Sequence, residues 1–263
     1  MRPFAIVEGM LVAGLAVALI VKPQPRTLKA DQQPPVPVTR TWIGESKKLG
    51  DGVVRSFVRT IEGRPVAVGI TFAESALNNL PTTGDRGMGC CQNETLLRLP
   101  DGLNIPPFTH IAVNWNPFGH VPPGVYDKPH FDFHFYMMDD DERQRIAMDD
   151  TNFAKPPPAD CVPAGHVPTP GVMKMGVHWI DPASPEFHGA AFTKTFLYGA
   201  YNGRVNFIEP MITKAQFETK QDSTDTIKQP KVYPLGYFPQ AYSIKYDATA
   251  KEYSVTLEGL TAH

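Results

Sequence analysis

Apolar and polar residues alternate with a period of two through most of the chain beyond residue 50, which predicts strands rather than helices. Residues 52–61 and 65–72 form two β-rich runs about the turn Glu62-Gly63-Arg64-Pro65. Further strand patterns occupy 94–99, 108–115, 129–138 and 172–180. Two hairpins follow, 192–201 with 205–213 and 241–246 with 252–258. The first turns at Asn202-Gly203, a dipeptide that favours the tight turn matching strand twist. Helical patterns are short, at 73–80 before Pro81 and at 140–148, where an acidic start suits the helix dipole. About nine strands with two or three short helices give a mainly β class, a single β-sandwich or barrel-like domain. Residues 82–91 read as a glycine-rich loop, and 149–170 as a proline-rich excursion of the kind that covers a site or an edge.

The pattern differs at the start of the chain. Residues 4–21, FAIVEGMLVAGLAVALIV, are apolar all round with one charge, Glu8. That length is marginal for a membrane span of about 20 residues and slightly long for an export-signal core. Arg2 gives the positive flank of a signal, whereas Lys22, Arg26 and Lys29 pull the orientation the other way. The expectation is a signal peptide or membrane anchor at 1–21 (an apolar targeting helix), a proline-rich linker at 22–41 and a β-rich domain at 42–263. The domain is expected to be exported, periplasmic or extracellular, or membrane-anchored and facing outward.

Composition narrows the function less than it narrows the class. A formal net charge of −2 without any basic cluster excludes an ordinary nucleic-acid binder. Three cysteines, Cys90, Cys91 and Cys161, do not have zinc-ribbon spacing. One of the adjacent pair bridged to Cys161, or three small buried apolar residues, both fit.

The chemistry concentrates in Pro129-His130-Phe131-Asp132-Phe133-His134-Phe135-Tyr136. On a strand, His130, Asp132, His134 and Tyr136 share one face and three phenylalanines the other. His130 and His134 are about 13 Å apart along an extended strand, too far to converge on one ion, whereas positions two apart can. His130 with Asp132, or Asp132 with His134, is therefore the chelating pair. His120 precedes the strand across a proline-glycine turn and can fold back beside it. The Asn202-Gly203 turn predicts pairs Ala200–Val205, Tyr198–Phe207 and Phe196–Glu209, which places Glu209 on an aromatic face. A carboxylate there needs a partner, a proton or a metal. The candidate metal ligands are thus His120, His130, Asp132, His134 and Glu209, and the candidate cofactor is a divalent transition metal of unassigned identity. His178 is the catalytic candidate, transferring a proton or orienting a neighbour. His110, His166 and His188 read as structural or solvated. If the site turns over a substrate, metal-assisted hydrolase or lyase chemistry is the least strained reading. The small-molecule ligand is not specified by the sequence.

The stretches AVGITFAESALNNLP, NWNPFGHVPPGVYDKPHFDFHFY, MGVHWIDPASPEFHG and FTKTFLYGAYNGRVNFIEPMIT resemble, as a set, a bacterial family of unknown function. Its described member is an oligomeric protein under extracytoplasmic sigma-factor control. The resemblance spans about residues 50–215 and implies a β-rich domain, an export signal and homo-oligomer formation, with no established activity. It sustains a rival to the metal-site reading: a non-catalytic envelope or stress-response protein whose polar strand face is an assembly or partner surface.

Overall fold

The computed structural model describes residues 36–84 and 93–263, which contain a folded unit spanning 37–263. The targeting segment 4–21, most of the linker 22–41, and Cys90 and Cys91 lie outside the described residues. Among the described residues no helix is long and apolar enough to cross a membrane.

In chain order the first six strands are β1 (Thr39–Leu49), β2 (Gly52–Ile61), β3 (Arg64–Ala73), β4 (Glu94–Arg98), β5 (His110–Asn116) and β6 (His130–Tyr136). Next come the short helix α1 (Asp140–Arg143), then β7 (Val167–Val172), β8 (Gly176–Ile180), β9 (Lys194–Tyr201) and β10 (Arg204–Thr213). The chain closes with α2 (Lys214–Glu218), β11 (Ser223–Thr226), β12 (Tyr237–Phe238), β13 (Ala241–Asp247), β14 (Glu252–Glu258) and β15 (Thr261–Ala262). Every strand pairing is antiparallel. One sheet runs β1-β2-β3-β14-β13-β11 and the other β4-β5-β6-β10-β9-β8-β7, with β12 and β15 as a separate pair.

The two large sheets form a sandwich because alternate residues of both are apolar. Val54, Val58, Ile70, Phe72, Val255 and Leu257 from one sheet meet Ile111, Val113, Trp115, Phe131, Phe133 and Phe135 from the other in a single core. Phe131 lies 6.3 Å from Phe72 and 6.0 Å from Phe217, ring centre to ring centre. The outer face of the seven-stranded sheet is buried too. Loops fold over it and enclose two smaller apolar clusters, one about Tyr136, Met175 and Phe207 and one about Tyr126, Leu197 and Met211.

The described residues hold fifteen strands rather than about nine. The additional ones have weak patterns for physical reasons. β1 is a largely exposed edge strand with a register shift between Ile43 and Ser46, and it begins at Thr39, inside the segment expected to be linker. β7, VPTPGV, is also an edge, where proline is tolerated because one side of the strand needs no amide donor. It occupies the end of the stretch expected to be an irregular excursion. The helix expected over 140–148 stops at Arg143, because Ile146 turns inward to the outer-face cluster.

Candidate metal centre

All seven residues of β6 are buried, so its polar face needs partners within the chain. The partners come from both neighbours. On β5, Asn116 pairs with His130, Asn114 with Asp132 and Ala112 with His134. On β10, Phe207 pairs with Tyr136 and Met211 with Asp132, so Glu209 stands between them beside His134.

The β9–β10 register corrects the hairpin expectation. Val205 does pair with Ala200, but a bulge follows, and Phe207 pairs with Gly199, Ile208 with Tyr198 and Glu209 with Leu197. The extra residue is Asn206, held by Nδ2 donating to Met175 O at 2.7 Å. Beyond a bulge the alternation of faces reverses. Glu209 thereby leaves the Phe196 and Tyr198 face and joins the face of His134. Gly199 permits this, since a Cβ there would lie 2.1 Å from the Phe207 ring. Phe207 in turn packs edge-on against both His134 and His178, at 4.9 and 5.0 Å.

The five expected ligands and His178 fall into two triads rather than one five-membered site. In each triad two imidazoles and one carboxylate offer ligand atoms within 4.8 Å of one another. The first is His120, His130 and Asp132: His130 Nε2 is 3.0 Å from Asp132 Oδ1, and His120 Nε2 is 3.5 Å from Oδ2. His120 returns to β6 on a loop in which its amide donates to Tyr126 O at 3.1 Å. Gly119 makes that return possible; its φ is +69°, and a Cβ would lie 2.1 Å from Tyr126 O. The second triad is His134, His178 and Glu209, whose two Nε2 atoms each lie 3.4 Å from a different Glu209 oxygen. His178 reaches it from β8 and holds the same rank as His134. Two ligands about 2.0–2.1 Å from a tetrahedral ion sit about 3.3–3.4 Å apart, and the imidazole-to-carboxylate separations here run from 3.0 to 3.5 Å.

The hydrogen-bond network orients the rings of His120, His130 and His134. Glu94 accepts two hydrogen bonds from Arg143, at 2.7 and 2.9 Å, so it is a carboxylate and can only accept. Asn114 Nδ2 therefore donates to it at 3.2 Å, and Asn114 Oδ1 is left to accept from His134 Nδ1 at 3.1 Å. His134 carries its proton on Nδ1 and presents a bare Nε2 to Glu209. In the first triad His130 Nδ1 donates to Lys128 O at 2.7 Å and His120 Nδ1 to Val121 O at 2.8 Å, so both rings turn Nε2 toward Asp132. An imidazole so oriented turns Nε2 toward a carboxylate oxygen, a geometry that either a shared proton or a metal cation between the two satisfies. Asn116 Nδ2 donates to Asp132 Oδ2 at 2.6 Å, and Asp132 Oδ1, His134 Nε2 and Glu209 Oε2 are buried without a hydrogen-bond partner.

The triads differ electrostatically. Burial disfavours the Asp132 carboxylate, but the neighbouring His130 and His120 outweigh it and hold its pKa well below the usual range. Burial likewise opposes charge on His120, and the Asp132 hydrogen bond and charge overcome it and raise the pKa. In the second triad burial dominates throughout. It lowers His134 to about 3 and His178 to about 4, and with the charge of Asp132 it pushes Glu209 well above the carboxylate range.

A cavity of about 480 Å³ lies over both triads and is lined by His120, Asp132 and His178 from their members. The His120 and His178 side chains are each 14 % exposed, whereas His130, His134 and Glu209 are sealed beneath. The excursion expected to cover a site does so, through Pro168, Thr169 and Pro170. The polar face of β6 is therefore the floor of an internal site and is not exposed as a surface for assembly. Of the remaining histidines, His110 is buried and stacked on Tyr136, His166 is buried beside Tyr198, and His188 bonds Pro182 O near the surface.

Sequence reasoning missed Asn114 and Asn116, which hold the triads from behind. Their signal was the alternating Asn114-Trp115-Asn116 on a strand next to the histidine strand. It also missed Glu94 and Arg143, which meet only through tertiary packing.

Residues 62–115 match the model of the TTHB210-like family, described as hypothetical protein TTHB210. No curated protein and no solved structure matches the chain. The matched segment carries Glu94 and Asn114 and ends before the first triad residue.

Proposed function

We propose that this β domain is a transition-metal protein, holding one ion in each triad at the floor of the cavity. The observation that carries the reading is that two imidazoles and a carboxylate converge within 4.8 Å in each triad. Asp132 Oδ1, His134 Nε2 and Glu209 Oε2 are buried and unpartnered there, and hydrogen bonds on Nδ1 orient the rings of His120, His130 and His134. Two imidazoles and one carboxylate are a set that zinc uses in hydrolases and ferrous iron in oxygenases. Three protein ligands leave a coordination position open, and in each triad one accessible imidazole turns that side to the cavity. A bound ion would supply Lewis acidity there, polarising a ligand oxygen or activating water, which suits metal-assisted hydrolase or lyase chemistry. The apolar segment at 4–21 and the proline-rich stretch after it support a domain held at or beyond a membrane.

The test is metal analysis of the full-length chain after reconstitution with zinc, ferrous iron, manganese and cobalt in turn. One ion per triad is expected, with Asp132→Ala and Glu209→Ala each losing one and keeping the other. A chain that retains none of these metals after dialysis contradicts the reading.

A further inference from the structure

The cavity above the triads has a chemistry of its own. Apart from the triad members, Tyr126 and Thr169, its lining is apolar. Among the described residues no lysine, arginine or second carboxylate faces it. Its volume of about 480 Å³ lies in the range of small-molecule sites. Pro122, Pro123, Pro168 and Pro170 form much of the wall, and a backbone with φ already fixed loses little freedom when a ligand arrives.

We propose that this cavity binds a small amphiphile, with an oxygen-donor head over the triads and a hydrocarbon body against the proline-rich wall. The inference rests on the metal reading above and deepens it by naming the ligand class. The ligating groups of the lining are His120, Asp132 and His178, and the one hydroxyl of the rim, Thr169 Oγ1, already donates to Pro170 O at 3.2 Å. A head of one or two oxygens placed at the ligating groups meets any bound ion through its open position. The body of the molecule then lies against Val121, Ile180 and Leu197, where burial of hydrocarbon is favourable. A sugar or a nucleotide would turn its hydroxyls toward those same side chains and lose their water without replacement.

The test compares octanohydroxamate with acetohydroxamate, two chelators with one head and different tails. Each is titrated into the cobalt-loaded full-length chain, and the cobalt absorption spectrum reports binding. The longer tail is expected to bind at least about tenfold more tightly, which burial of about two methylenes provides. Val121→Glu and Thr169→Glu, at exposed and half-buried rim positions, are expected to keep cobalt and abolish that preference. Equal affinities on cobalt-loaded protein would overturn this inference and leave the metal reading standing. A tail preference that survives in both glutamate variants would do the same. Failure to take up cobalt at all would overturn both.

Discussion

The two triads contain the same three kinds of ligand yet are built differently. His134, His178 and Glu209 all project from strands, from β6, β8 and β10, and their mutual geometry is set by sheet register and one bulge. The first triad takes His130 and Asp132 from β6 but His120 from a loop. The loop-borne triad is charged, with Asp132 ionised against raised His120. The strand-borne triad is neutral, because burial keeps protons off both imidazoles and on Glu209. A cation bound as proposed would displace a proton from an imidazolium in the first and from a carboxylic acid in the second. The same residue types thus reach opposite electrostatic states: one triad pairs charges, the other excludes them.

The largest expected effect breaks the comparison directly. In chelator-treated protein, Asp132→Leu removes one partner of a buried ion pair and is expected to destabilise the fold by about 3–5 kcal/mol. Glu209→Leu instead removes a buried group with an unpartnered oxygen and is expected to stabilise the same metal-free fold, by about 1–3 kcal/mol. Urea unfolding of both variants checks this. Equal destabilisation would mean that the triads share one electrostatic state.

A buried histidine outside both triads serves as a control. Burial lowers His110 from 6.5 to about 4. Between those values the unfolded chain binds the proton and the folded chain does not, so stability is complete above pH 6.5 and falls as pH drops toward 4. The loss over that window is about 3 kcal/mol. Urea unfolding of chelator-treated wild type and His110→Phe should show it, with a flatter pH profile in the variant. An unchanged profile would assign the acid sensitivity elsewhere.

The smallest expected effect sharpens the comparison by acting behind each triad. Asn114→Leu removes the acceptor for His134 Nδ1, and Asn116→Leu removes the donor to Asp132. Each is expected to weaken its own triad about 10–100-fold for metal and leave the other unchanged. Competition titrations against a chromophoric chelator separate the two affinities. Equal losses at both sites from either variant would show a single coupled centre.

Much of this was legible in the chain. The period of two over His130–Tyr136 gives both the phenylalanine core face and the ligand face, and the spacing rule already separates His130 from His134. Asn202-Gly203 locates the hairpin that carries Glu209. What the chain conceals is the bulge at Asn206, which sequence spacing does not reveal and which reverses the face of everything beyond it. The grouping into two triads depends on that reversal and on the loop that returns His120. Arg143 and Glu94 lie 49 positions apart, and only the packing of α1 against β4 joins them. Edge strands β1 and β7 escape notice because solvent exposure removes the apolar half of the alternation.

The most direct test is anomalous diffraction, at the metal absorption edge, from crystals of the full-length chain loaded with zinc or cobalt. Two peaks are expected per chain, one among the Nε2 and carboxylate atoms of each triad, with nitrogen ligands about 2.0–2.1 Å away. Metal-soaked crystals that diffract well yet show no peak on the outer face of the seven-stranded sheet would contradict the metal assignment.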